Sequence, residues 1–252
     1  MKNMEHNNKN DMKFAGSGVL AGGDYATVAC SGSLSVQDTI RCEQFRVSGS
    51  ARAHGSVICK GKVSCSGAFR CDGDVSGDEV RVSGSCHVDG TVTGNTISIS
   101  GALKAVKGIR GGEIRLSGGI STEGDVEGDS VSISGGGTVG GMINGETVRL
   151  SLSRKNESLR VGVIGGTSIF VRCEEKNFGL FRNLFGKKTA PGILRGTVIE
   201  GDTVELIATE CKTVRGRDVV IGEFCRIEKV EYTGTLTVDP SAEVKQREKV
   251  EA

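Results

Sequence analysis

Apolar and polar positions follow a repeat of almost fixed length along the first 150 residues. We number the first residue of each unit as position 0. Positions 1 to 5 then read apolar, any residue, apolar, Ser and Gly, and the eighth unit lacks the Ser-Gly pair. The interval between units is 17 residues, apart from one interval of 18 between Gln44 and Lys62. A unit this short cannot bury a core alone, so the units must stack as a solenoid. They begin at Thr27, Gln44, Lys62, Glu79, Thr96, Glu113, Ser130 and Thr147.

Apolar residues within each unit recur at positions 1 and 3, 7 and 9, and 13, where position 0 is the first residue. In one unit they are Ile97, Ile99, Leu103, Ala105 and Ile109. Residues two apart on a strand face the same side, so each unit predicts three short strands with inward apolar groups. Three strands per turn, stacked about 4.8 Å apart, form a triangular coil. The sequence therefore predicts an all-β fold, a parallel β-helix (solenoid) with about 17 residues per rung.

Glycine occupies two columns of the repeat. One follows Ser at position 5, and the other lies at position 15, from Gly77 to Gly145. Glycine can adopt the positive φ of a sharp corner, so we interpret both columns as corners of the coil. A phosphate-binding loop would need a strand-loop-helix context, and no helical pattern follows these glycines.

The repeat becomes irregular after Ser151. A polar stretch at 153–158 predicts a loop bulging from a rung, and the apolar dyads then return at Ile169/Val171, Val204/Leu206, Val219/Ile221 and Leu236/Val238. The predicted organisation is a mostly disordered polar arm at 1–24, a regular coil at 25–152, an irregular rung with a loop at 153–174, a Phe-rich excursion at 175–192, a less regular coil at 193–240 and a charged tail at 241–252.

The composition narrows the classes of protein and partner. With 39 Gly but only 2 Pro in 252 residues, a collagen helix is excluded. The 32 basic residues balance 31 acidic ones, so no nucleic-acid partner is expected. No apolar run is long enough for a membrane-spanning helix, and the polar start shows no signal peptide. These features predict a cytoplasmic protein with reduced cysteines.

Candidate chemistry is sparse. The nine cysteines include no C-x-x-C pair and follow the repeat, so we interpret them as buried small hydrophobic residues. His54 and His87 occupy outward positions on different rungs, with no matched Ser, Cys or carboxylate. We therefore predict no catalytic, cofactor-binding or metal site, and no enzyme activity.

Arginine alternates with serine in the outward column at position 2. The arginines are Arg46, Arg81, Arg115 and Arg149. Alternation roughly doubles the separation of like charges, and Glu79 and Glu113 lie close enough in sequence to neutralise two of them in part. Two interpretations stay open: a solvated face that prevents sideways sheet pairing, or a docking stripe for an acidic partner.

The Phe-rich excursion has a helical period, unlike the rest of the chain. One interpretation is a lid over an apolar face of the coil. The other is a contact with a membrane surface or a second subunit, with basic residues beside the apolar ones. The residues concerned are Phe178, Leu180, Phe181, Leu184, Phe185, Lys187 and Lys188.

The repeated segments at 80–84, 97–101 and 131–135 and the ending at 217–232 resemble the bactofilins, bacterial polymer-forming cytoskeletal proteins, in their longer Firmicutes form. The resemblance covers roughly residues 25 to 240. It implies a right-handed β-helix that polymerises end to end without nucleotide. It also implies a position at the inner face of the membrane and a role in organising cell-shape, envelope or cell-wall proteins. Typical short bactofilins lack the second coil block found here.

Two functions from different classes remain. A coil with open ends can add further copies of itself, which favours a structural scaffold. The alternative is a β-helix enzyme, such as a hexapeptide-type acyltransferase. That coil keeps strict 18-residue turns and needs a catalytic histidine in a subunit cleft, whereas intervals of 17 dominate this sequence.

Overall fold

A computed structural model describes residues 10–152, 157–173 and 192–251. The chain is an all-β parallel solenoid of about 13 turns with about 17 residues per turn, which confirms the predicted fold. All strands join one sheet of parallel pairs. The described residues contain no helix long and apolar enough to cross a membrane.

The strands run in chain order from one end of the coil to the other. They are β1 (Met12–Phe14), β2 (Gly18–Leu20), β3 (Gly23–Asp24), β4 (Thr27–Cys30), β5 (Ser33–Val36), β6 (Ile40–Ala53), β7 (Val57–Cys71), β8 (Val75–Ser76), β9 (Glu79–Val88), β10 (Thr91–Ala105), β11 (Gly108–Thr122), β12 (Asp125–Ser134), β13 (Gly137–Leu152), β14 (Ser158–Cys173), β15 (Ile193–Leu206), β16 (Thr209–Ile221), β17 (Arg226–Tyr232), β18 (Leu236–Val238) and β19 (Glu243–Lys249).

Each rung pairs with the next at the interval of the sequence repeat. Ile99, for example, lies between Val82 on the preceding rung and Leu116 on the following one. The five inward positions are buried on nearly every rung, as predicted, and the exception among the regular units is the half-buried Gly137. Burying each large aliphatic side chain contributes about 1.5–3 kcal/mol, so these columns are the main source of stability.

The three predicted strands of a rung merge across the corners. The strand β7 runs from Val57 to Cys71, and its ladder with β6 is continuous from Lys62 to Cys71, because Gly67 turns the chain while staying paired with Gly49. At Gly101 the φ angle is 121°, and an added Cβ would lie 2.1 Å from the carbonyl oxygen of Gly84. This first column therefore needs glycine for both conformation and close approach.

The second glycine column needs glycine for a different reason. Gly111 is not among the glycines with positive φ, but an added Cβ there would lie 2.4 Å from the carbonyl oxygen of Gly94. On the rungs of Gly94 and Gly111 the backbones approach too closely at this corner for a side chain to fit. On earlier rungs Cys42 and Cys59 occupy the same position. Both glycine columns therefore lie at corners, as predicted. The proposed cause, a positive φ angle, applies only to the first column.

The single 18-residue interval is absorbed at one corner. Cys42 pairs with Cys59, but the next paired residues are Gln44 and Lys62, so one extra residue is accommodated between them. The inward residues before and after this irregularity keep their alignment. The longer unit therefore changes one corner and leaves the core columns continuous.

The coil begins earlier and ends later than the sequence predicts. Residues Met12–Asp24, expected in a disordered arm, form β1, β2 and β3, which pair with β4, β5 and β6. Residues Glu243–Lys249, expected in a charged tail, form β19, which pairs with β17. Both boundaries are wrong because inward positions there hold Gly18, Gly23 and Arg247 instead of apolar residues.

Two predicted features fall mainly outside the described residues. They are most of the loop at 153–158 and most of the Phe-rich excursion at 175–192, including all seven of its candidate contact residues. The coil resumes beyond each of them. Val171 of β14 pairs directly with Leu206 of β15, so the inward columns continue into the second block.

Candidate interaction surfaces

The four arginines of the predicted stripe stand in one outward column, and their surroundings differ. The column reads Arg46, Ser64, Arg81, Ser98, Arg115, Ser132 and Arg149. Arg81 lies 2.6 Å from the carboxylate of Glu79, and Arg115 pairs with Glu113. The guanidinium carbon of Arg149 lies 5.4 Å from the centroid of the Phe170 ring.

The pairing of Arg81 and Arg115 with glutamates lowers the positive potential of this column. Glu79 also accepts a hydrogen bond from Lys62 at 3.0 Å, and this bond is the main reason that its pKa lies below the ordinary range. Arg46 makes no ion pair with any described residue. A docking role for the stripe therefore stays a prediction, and Arg46 is a member that pairs with no described carboxylate.

Both outward histidines are paired with carboxylates, which corrects the sequence analysis. His54 Nδ1 lies 3.2 Å from Asp72 Oδ2, and His87 Nε2 lies 2.8 Å from Asp89 Oδ1. Arg70 joins the two pairs by donating to Asp72 at 3.2 Å and to Asp89 at 3.5 Å. The group therefore forms a network across three rungs.

The partners were missed because the first of them lies one rung away. Asp72 follows His54 by 18 residues, which is the length of the long unit, so both occupy position 10. Comparing each outward residue with the residue one unit length further along the sequence would have found this pair. Asp89 lies two residues after His87, just past the end of β9, and this pair could have been found from the sequence directly.

Neighbouring positive charges determine the pKa of Asp72 in this network. Partial desolvation alone would raise the pKa of Asp72. The hydrogen bond from Arg70 and the charges of Arg52 and Arg70 outweigh it, so the pKa lies below its ordinary range. The side chains are between about a quarter and a half exposed. Ion pairs this exposed each contribute about 0–1 kcal/mol, so the network is a charged surface more than a source of stability.

The second block carries a ladder of alternating charge that sequence analysis missed. On successive rungs Arg195 lies 2.9 Å from Glu210, Glu210 lies 3.5 Å from Arg226, and Arg226 lies 4.0 Å from Glu243. Here arginine alternates with glutamate, whereas in the column of the first block it alternates with the neutral serine. Within these four residues the positive and negative charges balance.

A second ladder runs along another outward column. Arg215 lies 3.4 Å from Glu200 and 2.6 Å from Glu231, and Lys229 bridges Glu231 at 2.5 Å and Glu248 at 2.8 Å. Hydrogen bonds donated by Lys229 and Arg215 lower the pKa of Glu231. Both ladders follow from residues of opposite sign at one position of consecutive units.

The cysteines lie inside the coil, as predicted. All are reduced, and eight of the nine are buried. Cys42 and Cys59 face each other across adjacent rungs with their sulfur atoms 2.8 Å apart. Burial raises the pKa of Cys65 to about 11 and that of Cys86 to about 12, so thiolates are disfavoured. The described residues contain no cluster of three or more metal-ligating side chains.

The two ends of the coil form the remaining candidate surfaces. Within the described residues, the strands of the first rung and of the last rung each pair on one side only. The inward positions of the first rung hold Met12, Phe14, Gly18, Leu20 and Gly23. The inward positions of the last rung hold Leu236, Val238, Ala242, Val244 and Arg247.

Comparison with known proteins finds two partial relatives, both from Bacillus subtilis (strain 168). The chain is 52% identical to "Uncharacterized protein YhbE" over 58 residues, which are 23% of this chain and 24% of that protein. It is 35% identical to "Uncharacterized protein YhbF" over 101 residues, 40% of this chain and 39% of that protein. The chain thus matches less than half the length of each relative. No family model and no solved structure matches.

Proposed function

We propose that the protein is a structural scaffold of the bactofilin kind, which associates end to end with further copies of itself without nucleotide. The observation that carries the proposal is the first rung, where strands paired on one side surround inward Met12, Phe14 and Leu20. The β-solenoid fold, which the resemblance to bactofilins implies, supports the same class.

The physical argument starts from the backbone. An edge strand presents a row of N–H and C=O groups that another strand can pair with. Phe14 and Met12 are only partly buried, so a second copy would remove more of their apolar surface from water. A coil adding copies at both ends would form polymers, whereas a coil adding copies at one end would form pairs.

The cellular role belongs to the same proposal. A cytoplasmic scaffold would present its long side faces, with their charged columns, to cell-shape, envelope or cell-wall proteins. The Phe-rich excursion is the proposed contact with the inner face of the membrane. A β-helix enzyme remains the alternative, and the His54–Asp72 and His87–Asp89 pairs are the observation that favours it.

Sedimentation velocity of the purified full chain, without nucleotide, tests the proposal. We expect concentration-dependent association by the unchanged protein and its loss in Phe14→Glu, which places a charge at an inward position of the first rung. Ser121→Glu adds the same charge at an exposed outward position in the middle of the coil and should associate normally. A monomer at all concentrations and salt conditions would contradict the proposal.

A further inference from the structure

We propose that the two ends of the coil are not equivalent: the last rung stops further stacking, and the first rung joins a second copy. This inference rests on the proposed function, because it concerns which end associates. It predicts that the unchanged protein forms pairs joined at their N-terminal ends, with both C-terminal ends facing outward.

The first step concerns one inward column. Arg247 of β19 pairs with Val230 and so occupies position 13, which is aliphatic on every earlier rung from Ile40 onward. The residues before it in the column are Ile40, Val57, Val75, Val92, Ile109, Val126, Ile143, Ile164, Ile199, Val214 and Val230. Arg247 is exposed, and it makes no ion pair with any described residue.

A further rung stacked on β19 would enclose this guanidinium. The column offers it no carboxylate, and burying an unpaired charge is strongly unfavourable. An inward-pointing charge is one of the means by which natural sheets prevent edge-to-edge pairing. The same rung carries Pro240 before β19 and the exposed Lys249 on it, two further features that protect an edge.

The first rung lacks an inward charge of this kind. Its inward positions hold Met12, Phe14 and Leu20 together with two glycines, and no charged side chain. The Phe14 ring fills the space over Gly18, where an added Cβ would lie 2.5 Å from it. A second coil meeting this end therefore finds apolar inward positions and strand edges that no other described residue pairs with.

Charge complementarity identifies the occupant as a second copy in a two-fold arrangement. Asp11 and Lys13 flank Met12, and their side chains lie 3.5 Å apart in one chain. If β1 pairs antiparallel with β1 of a second copy about Met12, Asp11 of each chain lies opposite Lys13 of the other. Opposite charges directly across two strands are favourable, and a two-fold contact of this kind closes at two copies.

Head-to-tail stacking, in which the first rung of one copy lies on the last rung of another, is unfavourable if the register of the coil continues across the contact. It would place Gly23 over Arg247 and enclose the charge. It would also place Asp24 over Glu248, because both residues occupy position 14. Like charges on directly neighbouring strands repel.

The first experiment compares the full chain with Arg247→Val and Lys245→Val by sedimentation velocity and negative-stain microscopy. Lys245→Val removes the same charge from an outward position of the same strand. We expect two copies at most for the unchanged chain and for Lys245→Val, and assemblies of more than two copies for Arg247→Val. Melting curves of all three proteins verify that the coil is intact.

The second experiment tests the joining end by charge exchange. Lys13→Asp should weaken pairing at least tenfold, and adding Asp11→Lys should restore most of it. Assemblies of more than two copies of the unchanged chain would overturn the inference and leave the proposed function standing. An Arg247→Val protein that stops at pairs would also overturn it. A monomer for every variant at every concentration would overturn the proposed function itself.

Discussion

At the scale of single residues, the inward columns determine which substitutions the coil tolerates. Each inward side chain lies between its equivalents on the rungs before and after it, and each outward side chain faces solvent or a charged neighbour. Ile99 and Ser98 are adjacent in sequence but belong to these two opposite environments.

Replacing Ile99 by Asp should unfold the coil or destabilise it by about 3–5 kcal/mol, because an unpaired carboxylate would lie inside an aliphatic column. The matched control is Ser98→Asp, which places the same group between Arg81 and Arg115 on the outer face. We expect the control to fold normally. Thermal melting followed by circular dichroism compares the two, and an Ile99→Asp protein with unchanged melting would contradict the assignment of the column.

The buried thiols predict a loss of stability in alkaline solution. Burial raises the pKa of Cys65 from 9.0 to about 11. Stability is therefore unaffected by this group below pH 9. Between pH 9 and 11 it falls, because the unfolded chain releases the proton while the folded chain retains it.

Cys65→Val tests this prediction with a residue that the column already accepts, since Val47 and Val82 are its neighbours on adjacent rungs. Urea unfolding from pH 8 to 11 should show a shallower decline for the variant, by up to about 1.4 kcal/mol per pH unit. Parallel curves for the two proteins would show that this thiol ionises equally in both states.

At the scale of the element, the corners control how strands continue from one face to the next. Gly101→Ala should destabilise the coil by at least about 1–3 kcal/mol, because the backbone there has positive φ and the added methyl group would meet the Gly84 carbonyl. Gly119→Ala is the control, since no atom lies within 4 Å of its added Cβ. Equal denaturation midpoints for both variants would contradict this account of the corner.

The sequence predicts the strands and corners correctly where many units repeat the same pattern. Ile97, Ile114 and Val131 occupy one column in seven or more similar units, so the inward faces and the corner at Gly101 could be derived from spacing alone. The first and last rungs could not, because each is a single copy. Gly18 and Gly23 remove apolar signals from one end, and Arg247 replaces one at the other.

The charged networks were missed for another physical reason. The partners of an outward residue lie on the neighbouring rung, about 17 residues away in sequence and about 5 Å away in space. A reading along the chain sees Arg195 and Glu210 as unrelated, whereas the stack places them 2.9 Å apart. Outward columns carry no apolar pattern, so their pairs become visible only once the register is known.

At the scale of the whole molecule, the coil is a rod whose two ends have different chemistry. About 13 turns at about 4.8 Å give a length of roughly 60 Å. Its long faces carry charges that largely compensate one another, whereas its first rung is apolar at the inward positions and, within the described residues, paired on one side only. Association through this end leaves the side faces of both copies free for other proteins.

Length and width distributions of single particles in negative-stain images, recorded without nucleotide across a range of protein concentrations, test the central claim most directly. Association through the first rung predicts rods of two lengths, about 60 and about 120 Å, with one width and a longer fraction that rises with concentration. Rods of doubled width and single length would show that the side faces associate instead, and rods of one length at every concentration would show no association; either result would contradict the account.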